Sequence, residues 1–365
     1  MWELQAADGG SLSRIIAQAK AYGVRTLFIK SGDGSTFWSQ FNPSVVAALH
    51  AAGLYACAWQ FVYGDHPLAE AAVGAQAVND GADCLAIDAE TQYQGKYAQA
   101  QQYVSGLRAR VGSRYPLSLA GFPYVDYHAS FPYSVFLGPN GAQYNTPQMY
   151  WYTIGTSVTG VYAHTYEYNE LYERPIAPLG QVYASPPADQ IKDFRSASLS
   201  YRASGVSWWD WQEASGTQWH AISARIGLMR GFTPATQVVS IGRGAEGDVV
   251  VWAQEHLWNT HERVAIDGDF GPLTEVAVQA FQQRHDLPVT GTITPATWTV
   301  LLRVKLPTID WVRTKHGQTA TVMAARAGAA GPLVMPVPKS ASLKARGDEL
   351  GGEPGMGREP VTRRR

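Results

Sequence analysis

Charged residues are scarce in this sequence, and those present almost cancel. Asp, Glu, Lys and Arg make up 16% of the 365 residues, and the formal net charge is -1. Nucleic acids and anionic membrane surfaces are usually bound through a strong excess of positive charge, which this chain lacks. We therefore expect neither of them as a partner.

Long apolar runs are also missing, and cysteines are few. No apolar run reaches about 18 residues, and the N-terminal "MWELQAADGG" has neither a basic region nor an apolar region of the secretory type. We expect no membrane span and no secretory signal in this chain. Only Cys57 and Cys84 are present, each inside an apolar strand-like run. We expect them to be small buried residues without a disulfide framework.

Aromatic residues, by contrast, are abundant. The chain has 12 Trp and 19 Tyr, which is more than packing alone normally requires. Sugar rings bind flat against such faces, so the composition favours a carbohydrate ligand. About half of these side chains could equally fill the core.

Short β-like runs alternate with helix-like stretches from residue 2 to about residue 225. This is the pattern of a parallel sheet with helical crossovers. Eight such units predict an α/β fold, a small (β/α)8 TIM-type barrel over residues 1–230, with its reacting groups at the carboxyl ends of the strands. The expected strands are "WELQ", "RTLFIK", "LYACAWQFV", "CLAIDAE", "PLSLAGF", "TPQMYW", "IAPLGQVY" and "VSWWDWQ".

The composition changes twice after the barrel segment. Residues 231–242 are rich in small and turn residues and predict a linker. Residues 243–303 carry apolar side chains at helical spacing and predict a compact three-helix unit. Residues 304–365 are rich in Gly, Pro, Ala and Arg, and we expect a mostly disordered tail.

The stretch "CLAIDAET" ends an apolar strand with two carboxylates. Asp88 and Glu90 are two apart on the expected fourth strand, so their side chains point to the same face and converge on one ligand. Two nearby carboxyls in a partly dry pocket do not both ionise readily. We assign the raised pKa to Glu90 as general acid, and the anionic form to Asp88, which would orient a substrate acetamido group. The alternative is a buried acidic pair held by Lys30, which would serve only folding.

Other polar and aromatic side chains occur near the ends of the expected strands. If Asp210, our third catalytic candidate, points inward on the eighth strand, alternation turns Trp208 and Gln212 inward as well. Trp209 and Trp211 then face the helices, where they pack. The substrate-binding candidates are Glu3, Lys30, Trp59, Gln60, Tyr124, Gln148, Tyr150, Gln181, Trp208 and Gln212.

Residues 243–303 resemble the three-helix peptidoglycan-binding domain found on many cell-wall hydrolases, from "GDVVVWAQEHL" to "TWTVLL". A calcium loop at Asp267 and Asp269 would need further ligands that are missing, so we expect a helix-entry turn and no metal site. The resemblance implies binding to bacterial peptidoglycan. The family's "DGxFGxxT" turn is present as Asp267, Gly268, Phe270, Gly271 and Thr274.

The barrel segment resembles glycoside hydrolase family 25, the muramidases that cut the glycan strands of bacterial cell walls. The similar features are "TLFIKSGDG", "LHAAGLYACAWQF" and the "DAE" of the fourth strand. The first strand departs from the family, which has an Asp followed by Ser where "WELQ" offers Glu3. Family 18 chitinases are a rival resemblance: of their D-x-x-D-x-D-x-E pattern, "DCLAIDAE" retains Asp83, Asp88 and Glu90 but has Ala86 in place of the second Asp. Both families act on sugars that bear a 2-acetamido group.

These resemblances imply a cell-wall lytic glycosidase of the N-acetylmuramidase type, anchored on bacterial peptidoglycan by its C-terminal unit. We expect it to be extracellular or wall-associated, monomeric and free of cofactors. A phage-type lysin would also lack a secretory signal. Two alternatives stay open: a non-catalytic wall-binding protein whose barrel is degenerate, and an intracellular enzyme that acts on soluble sugars.

Overall fold

The N-terminal segment is an α/β structure whose strands come from the predicted apolar runs. A computed structural model describes residues 1–314, 317–323 and 334–336. The central strands are buried along almost their whole length, because helices cover the outer face of the sheet. The strands of this segment are β1 (Thr26–Asp33), β2 (Thr36–Phe37), β3 (Tyr55–Val62), β4 (Leu85–Ala89), β5 (Leu117–Ala120), β6 (Tyr144–Asn145), β7 (Leu179–Gln181) and β8 (Ser207–Trp209).

The sheet order places β4 between two parallel neighbours. β2 pairs antiparallel with β1, and β1, β3, β4, β5 and β6 follow one another in parallel. β7 and β8 form a second parallel pair, which the single bridges Asn145–Ile176 and Gln148–Leu179 connect to the first group. The carboxyl ends of the parallel strands lie at one edge, which is where parallel α/β folds carry their reacting groups.

The predictions for "WELQ" and "TPQMYW" are wrong. Met1 lies beside β1, where its carbonyl accepts from the Lys30 amide at 3.1 Å and from the Trp59 indole at 2.9 Å, but a 3-10 helix begins at Leu4 before a ladder can form. β6 ends at Asn145, and a short helix begins at Trp151. Among the described residues, strand pairing therefore does not close an eight-stranded ring.

Helices connect the strands and cover the outer face of the sheet. The side chains of Asn42 and Ser157 cap α2 and α7, and Ser215 forms a capping box with Gln218 at the start of α9. Within the described ranges, no helix is long and apolar enough to cross a membrane. The α-helices of this segment are α1 (Leu12–Ala21), α2 (Pro43–Ala51), α3 (Pro67–Asn79), α4 (Tyr97–Val111), α5 (Tyr133–Phe136), α6 (Trp151–Ile154), α7 (Val158–Asn169), α8 (Ala188–Ser200) and α9 (Gly216–Ser223), and 3-10 helices span Leu4–Ala6, Asp8–Gly10, Thr91–Tyr93, Asp126–His128 and Glu170–Tyr172.

The two cysteines form a disulfide, which the sequence analysis did not expect. Cys57 lies in β3 and Cys84 immediately precedes β4, and the parallel register that pairs Ala58 with Leu85 sets the two cysteines side by side. Their Cα atoms are 4.7 Å apart and their sulfurs are bonded. Reading each cysteine as a separate buried residue missed their positions on neighbouring strands, which only the strand order reveals.

The predicted three-helix unit is present in the C-terminal segment. Its helices are α10 (Asp248–Trp258), α11 (Pro272–Arg284) and α12 (Pro295–Leu301). Phe281 and Trp298 are each 1% exposed and form its core with Val250 and Leu257. The apolar spacing read from the sequence therefore identified the buried face of each helix.

Two buried glutamines hold the turns that precede α11 and α12. Gln254 donates to the Asp267 carboxylate at 2.7 Å and accepts from the Gly268 amide at 2.8 Å. Gln282 repeats this arrangement with the Thr292 carbonyl at 2.8 Å and the Gly291 amide at 3.0 Å. The "DGxFGxxT" stretch is thus a helix-entry turn. The turn before α12 is held in the same way, by hydrogen bonds to a buried glutamine side chain.

The C-terminal unit packs directly on the barrel segment. The Asp248 carboxylate, fully buried at the start of α10, accepts from the Ser134 amide and hydroxyl at 2.8 Å each and from the Tyr172 hydroxyl at 2.7 Å. The Trp252 indole donates to the Leu171 carbonyl at 2.8 Å. These contacts fix the first helix of the unit against the N-terminal α/β segment.

Part of the predicted disordered tail is ordered. Strands β9 (Thr308–Thr314) and β10 (Gly317–Met323) form a hairpin to which β11 (Val334–Pro336) adds an edge. Trp311 is 4% exposed and packs on Tyr97 of α4 at 4.4 Å between ring centroids, and Gln101 bonds its backbone amide at 2.7 Å. The rest of that predicted tail lies outside the described residues.

Candidate functional site

Asp88 and Glu90 meet at the carboxyl end of β4, as the sequence predicted. One amide nitrogen of Gln148 donates to Asp88 Oδ1 at 3.0 Å and to Glu90 Oε1 at 3.1 Å. The exposed fractions are 5% for Asp88, 7% for Glu90 and 7% for Gln148. The two carboxyl groups therefore share one small polar site, and Gln148 is its bridge.

Burial governs the protonation of this pair. Removal from water raises the pKa of Asp88 well above its usual value, the charge of Glu90 adds to the rise, and Lys30 opposes it. This direction is opposite to the anionic form that we predict for Asp88 from the sequence, because Asp88 is only 5% exposed at the end of β4.

Lys30 lies in the same pocket but pairs with a different carboxylate. Its ammonium group contacts Asp33 Oδ2 at 2.6 Å, and Asp33 Oδ1 accepts from the Tyr63 hydroxyl at 2.8 Å. Asp33 also contributes to the raised pKa of Asp88. Asp33 is not among the predicted site residues. It ends β1, and the register of β1 shifts between Lys30 and Gly32, so alternation from Lys30 does not place Asp33 on the same face.

Tryptophan rings surround the Lys30 ammonium group. It lies 4.4 Å from the centroid of Trp38, 5.0 Å from that of Trp59 and 5.6 Å from that of Trp2. A cation over an aromatic face is stabilised by the ring quadrupole, most strongly where water is excluded. Lys30, 3% exposed, is thereby held in place without direct contact with Asp88.

The eighth strand faces the opposite way from the prediction. Trp209 packs on Trp59 at 5.3 Å and Trp2 at 6.5 Å, inside the pocket, whereas Trp208 packs on Phe194 of α8. β8 ends at Trp209, so strict alternation cannot be extended through Asp210. The prediction of Trp208 as a ligand-facing residue is wrong, and Trp209 takes that place.

Asp210 and Gln212 join the end of β8 to the N-terminal residues. Asp210 is 4% exposed, burial raises its pKa, and the Glu213 amide donates to it at 3.2 Å. In the amide orientation that satisfies its neighbours, Gln212 donates to Asp210 at 3.1 Å and accepts from the backbone amides of Trp2 at 3.1 Å and Glu3 at 2.9 Å. These contacts suit a structural role at this edge of the pocket.

Two predicted ligand contacts are internal to the fold. Gln60 is fully buried on the helix side of β3, where it donates to the carbonyls of Gly34 and Glu70 and accepts from Tyr103. Gln181 is equally buried and accepts from two backbone amides at the start of α6. Both predictions are wrong, because each side chain satisfies backbone groups that would otherwise be buried without partners.

The other predicted ligand contacts differ in position. Glu3 is exposed at the start of the first 3-10 helix and is not a strand carboxylate. Tyr124 is 7% exposed and stacks on His164 at 3.9 Å, and Tyr150 is 6% exposed and packs edge-to-face on Tyr183 at 5.3 Å. Gln148 contacts both carboxylates, and Lys30 and Trp59 belong to the group of charged and aromatic side chains beside them.

The fold and site define an α/β protein with a buried carboxylate pair and a packed C-terminal three-helix unit. Residues 246–301 match the family model described as "Putative peptidoglycan binding domain". Comparison with curated proteins gave no match.

Solved structures with some similarity include enzymes that act on sugars. A fungal endo-β-N-acetylglucosaminidase of glycosyl hydrolase family 18 is 12% identical in sequence. The alignment covers 54% of this chain and 87% of that enzyme, with a TM-score of 0.39. The catalytic domain of a mannanase from Streptomyces sp. SirexAA-E is 14% identical. The alignment covers 62% of this chain and 82% of the mannanase domain, with a TM-score of 0.41. A sugar phosphate isomerase/epimerase from Parabacteroides distasonis is 10% identical. The alignment covers 61% of this chain and 94% of the isomerase/epimerase, with a TM-score of 0.39. Similarity at this level does not define the activity of this chain.

Proposed function

We propose that this protein is a cell-wall lytic glycosidase that hydrolyses peptidoglycan glycan strands at 2-acetamido sugars, with N-acetylmuramidase-like specificity. The observation that carries the proposal is the pair Asp88 and Glu90, bridged by Gln148 at the carboxyl end of β4. Buried acids reduce the stability of the fold, so their presence favours a functional role. A pair of carboxyl groups is the usual machinery for glycoside hydrolysis.

In this proposal the pair shares one proton in the unliganded site. Because burial favours the protonated form of Asp88, the proton rests there until substrate binds. A 2-acetamido group that donates its N–H to Asp88 would favour the anion and move the proton to Glu90. Glu90 then protonates the leaving oxygen while Asp88 stabilises the cyclic oxazolinium formed by the acetamido group.

The C-terminal unit supplies the second half of the proposal. Its match to the peptidoglycan-binding family supports a role in holding the protein on its polymeric substrate, which raises the effective concentration of cleavable bonds. The disulfide between Cys57 and Cys84 supports an extracellular or wall-associated location, because such bonds persist in oxidising compartments. The catalytic scheme needs neither a metal nor a cofactor and works in a monomer.

A non-catalytic wall-binding protein is the second candidate. The observation in its favour is Glu3, which is exposed and precedes a 3-10 helix, so the carboxylate expected in the "WELQ" segment from the muramidase resemblance is not supplied by a strand there. Under this proposal the barrel would retain the pocket and bind glycan without cleaving it.

Lysis of purified walls by Glu90→Gln tests the first candidate against the second. The variant keeps the side-chain size and the contact with Gln148 but removes the proton donor, so we expect the rate to fall by about 10² to 10⁴. Glu170→Gln, at an exposed carboxylate beyond α7, is the matched control and should keep full activity. Mass spectrometry should find N-acetylmuramic acid at the new reducing ends.

A different result would favour the second candidate. Wild-type protein that pellets with walls but releases no fragments from them would make the carboxylate pair structural and favour the binding protein.

A further inference from the structure

An exposed tyrosine on the β5–α5 loop is held by a rigid aromatic cluster. Tyr124 and His164 stack at 3.9 Å between ring centroids and 15° between planes. His164 Nε2 lies 2.8 Å from Asp126 Oδ1, which fixes the imidazole. Tyr127 lies 5.3 Å from the Tyr124 ring and 5.5 Å from the His164 ring, at 77° and 85° to their planes. The cluster is thus ordered, although Tyr127 itself is 61% exposed.

These distances determine which face of Tyr127 is free. Its ring is nearly equidistant from two stacked rings and perpendicular to both, so it lies across their edges. At such a separation an edge-to-edge approach would bring carbon atoms into collision, whereas a face on two edges gives the usual T-shaped contact. One face of Tyr127 therefore covers the stack, and the opposite face is turned to solvent.

The loop that carries Tyr127 also borders the carboxylate site. It begins after β5, where the Gly121 carbonyl accepts from the Gln148 amide at 2.9 Å. His128, the next residue, contacts Gln94 at 3.1 Å, and the Gly95 amide donates to the Ser130 carbonyl at 2.8 Å. Gln94 and Gly95 belong to the segment that follows Glu90. The loop, and exposed Tyr127 with it, therefore lies on the rim of the same edge of the sheet.

The other end of the loop supports the C-terminal unit. The Asp248 amide donates to the Ala129 carbonyl at 2.6 Å. At Gly247, with φ of 101°, a side chain would collide with the same carbonyl, so the two backbones meet closely here. The loop thus lies between the carboxylates and the unit that matches the peptidoglycan-binding family.

We infer that Tyr127 forms a distal saccharide subsite, where its free face stacks on a pyranose ring of a glycan strand that runs from the carboxylate pair toward the C-terminal unit. Tyr124, His164 and Asp126 act as positioning residues that hold the Tyr127 ring perpendicular to the Tyr124–His164 stack. This inference rests on the proposed function, since the strand is the same polymer. Stacking on a ring needs no charge and suits the neutral pyranose faces of such a chain.

Binding of glycan strands of graded length to a Glu90→Gln background tests the subsite without turnover. The probes are peptide-free peptidoglycan strands and their disaccharide unit, measured by titration calorimetry. Tyr127→Ala should weaken binding of long strands about five- to tenfold, as expected for one lost aromatic contact, and leave the disaccharide unaffected. Tyr127→Phe should retain binding. The matched control is Tyr55→Ala, a tyrosine 59% exposed at the amino end of β3, on the opposite rim.

The outcomes separate the subsite from the proposed function. Equal affinity of the Tyr127→Ala and Tyr55→Ala variants for long strands would overturn the subsite alone. Failure of every variant and of the parent to bind any strand would overturn the proposed function and the subsite with it. Melting curves of both alanine variants should match the parent, because each side chain is mostly exposed.

Discussion

The charge balance of the pocket explains why a proton is retained there. Asp33, Asp88 and Glu90 are three acids, and Lys30 is the cation that faces them. Lys30 is paired with Asp33 at 2.6 Å, so its positive charge neutralises Asp33 more than it neutralises Asp88 and Glu90. The remaining charge is relieved by a proton on Asp88, whose pKa burial raises most and the charge of Glu90 raises further.

This balance predicts how the pH profile of wall lysis responds to single changes. In the proposed scheme lysis requires one proton on the pair, so the rate should fall as pH rises through the raised pKa of Asp88. Lys30→Met removes the cation that opposes this rise, and the alkaline limb should move to higher pH. Asp33→Asn removes an anion that contributes to it, and the limb should move to lower pH. Initial rates from about pH 4 to 9 measure both shifts.

A third variant serves as the reference for these profiles. Asp65→Asn removes a carboxylate that is 67% exposed and paired with Lys96, so its profile should match the wild type. Shifts of Lys30→Met and Asp33→Asn in the same direction would contradict the proton-sharing scheme.

Among the elements, sequence periodicity identified those that have a dominant buried face. β3, β4 and β5 and the three C-terminal helices follow from continuous apolar runs or from spacing of three and four. The stretch "TPQMYW" is equally buried, yet a helical turn begins at Trp151, where the side-chain oxygen of Gln181 accepts from two backbone amides. That contact joins residues 29 apart, and no local pattern could reveal it.

Strand orientation limited the site prediction in the same way. Trp59 and Gln60 are neighbours on β3 and must face opposite sides, so only one of them could line the pocket. The sequence does not show which face of a fully buried strand is the inner one, because both faces are apolar. Asp88 and Glu90 were predictable because two carboxylates two residues apart define their own face.

The bond between β3 and β4 predicts a measurable contribution to stability. Cys57 and Cys84 are 27 residues apart in the chain, and closing a loop of that length should stabilise the fold by about 3 to 4 kcal/mol in the chain-entropy model. The Cys57→Ala/Cys84→Ala double variant should lose this amount in urea unfolding. Wild-type protein with a reductant should lose a similar amount, and the double variant should not respond to it. A wild-type unfolding curve that is indifferent to reductant would contradict the bond.

At the scale of the whole molecule, the C-terminal unit is part of the fold and not a loosely tethered module. Val249, Val250 and Trp252 of α10 belong to the same apolar core as Tyr133 and Tyr172 of the barrel segment. The hairpin of β9 and β10 adds contacts to α4 on the same side. A glycan bound by the C-terminal unit would therefore be presented to the carboxylates at a fixed distance, and anchoring and cleavage sites would be geometrically coupled.

Asp248 makes this docking sensitive to pH. Burial raises its pKa from 3.8 to about 6, although the hydroxyls of Tyr172 and Ser134 favour the anion. A carboxyl whose pKa is higher in the folded state favours folding below its unfolded pKa, and this contribution is lost as pH rises through about 6. The loss amounts to about 2.4 kcal/mol between pH 4 and pH 7.

Asp248→Asn should abolish that dependence, since an amide does not titrate. Its free energy of unfolding, relative to wild type, should therefore improve steadily from pH 4 to pH 7, whatever constant offset the new amide introduces in its contacts with Ser134 and Tyr172. Urea unfolding at each pH measures the difference, and the slope is the result that matters. Asp310→Asn, on the exposed side of the hairpin, provides a control that should show no slope. If Asp248→Asn and wild type kept a constant difference across this range, Asp248 would be charged in the docked state at every pH, and its hydrogen bonds would outweigh its burial.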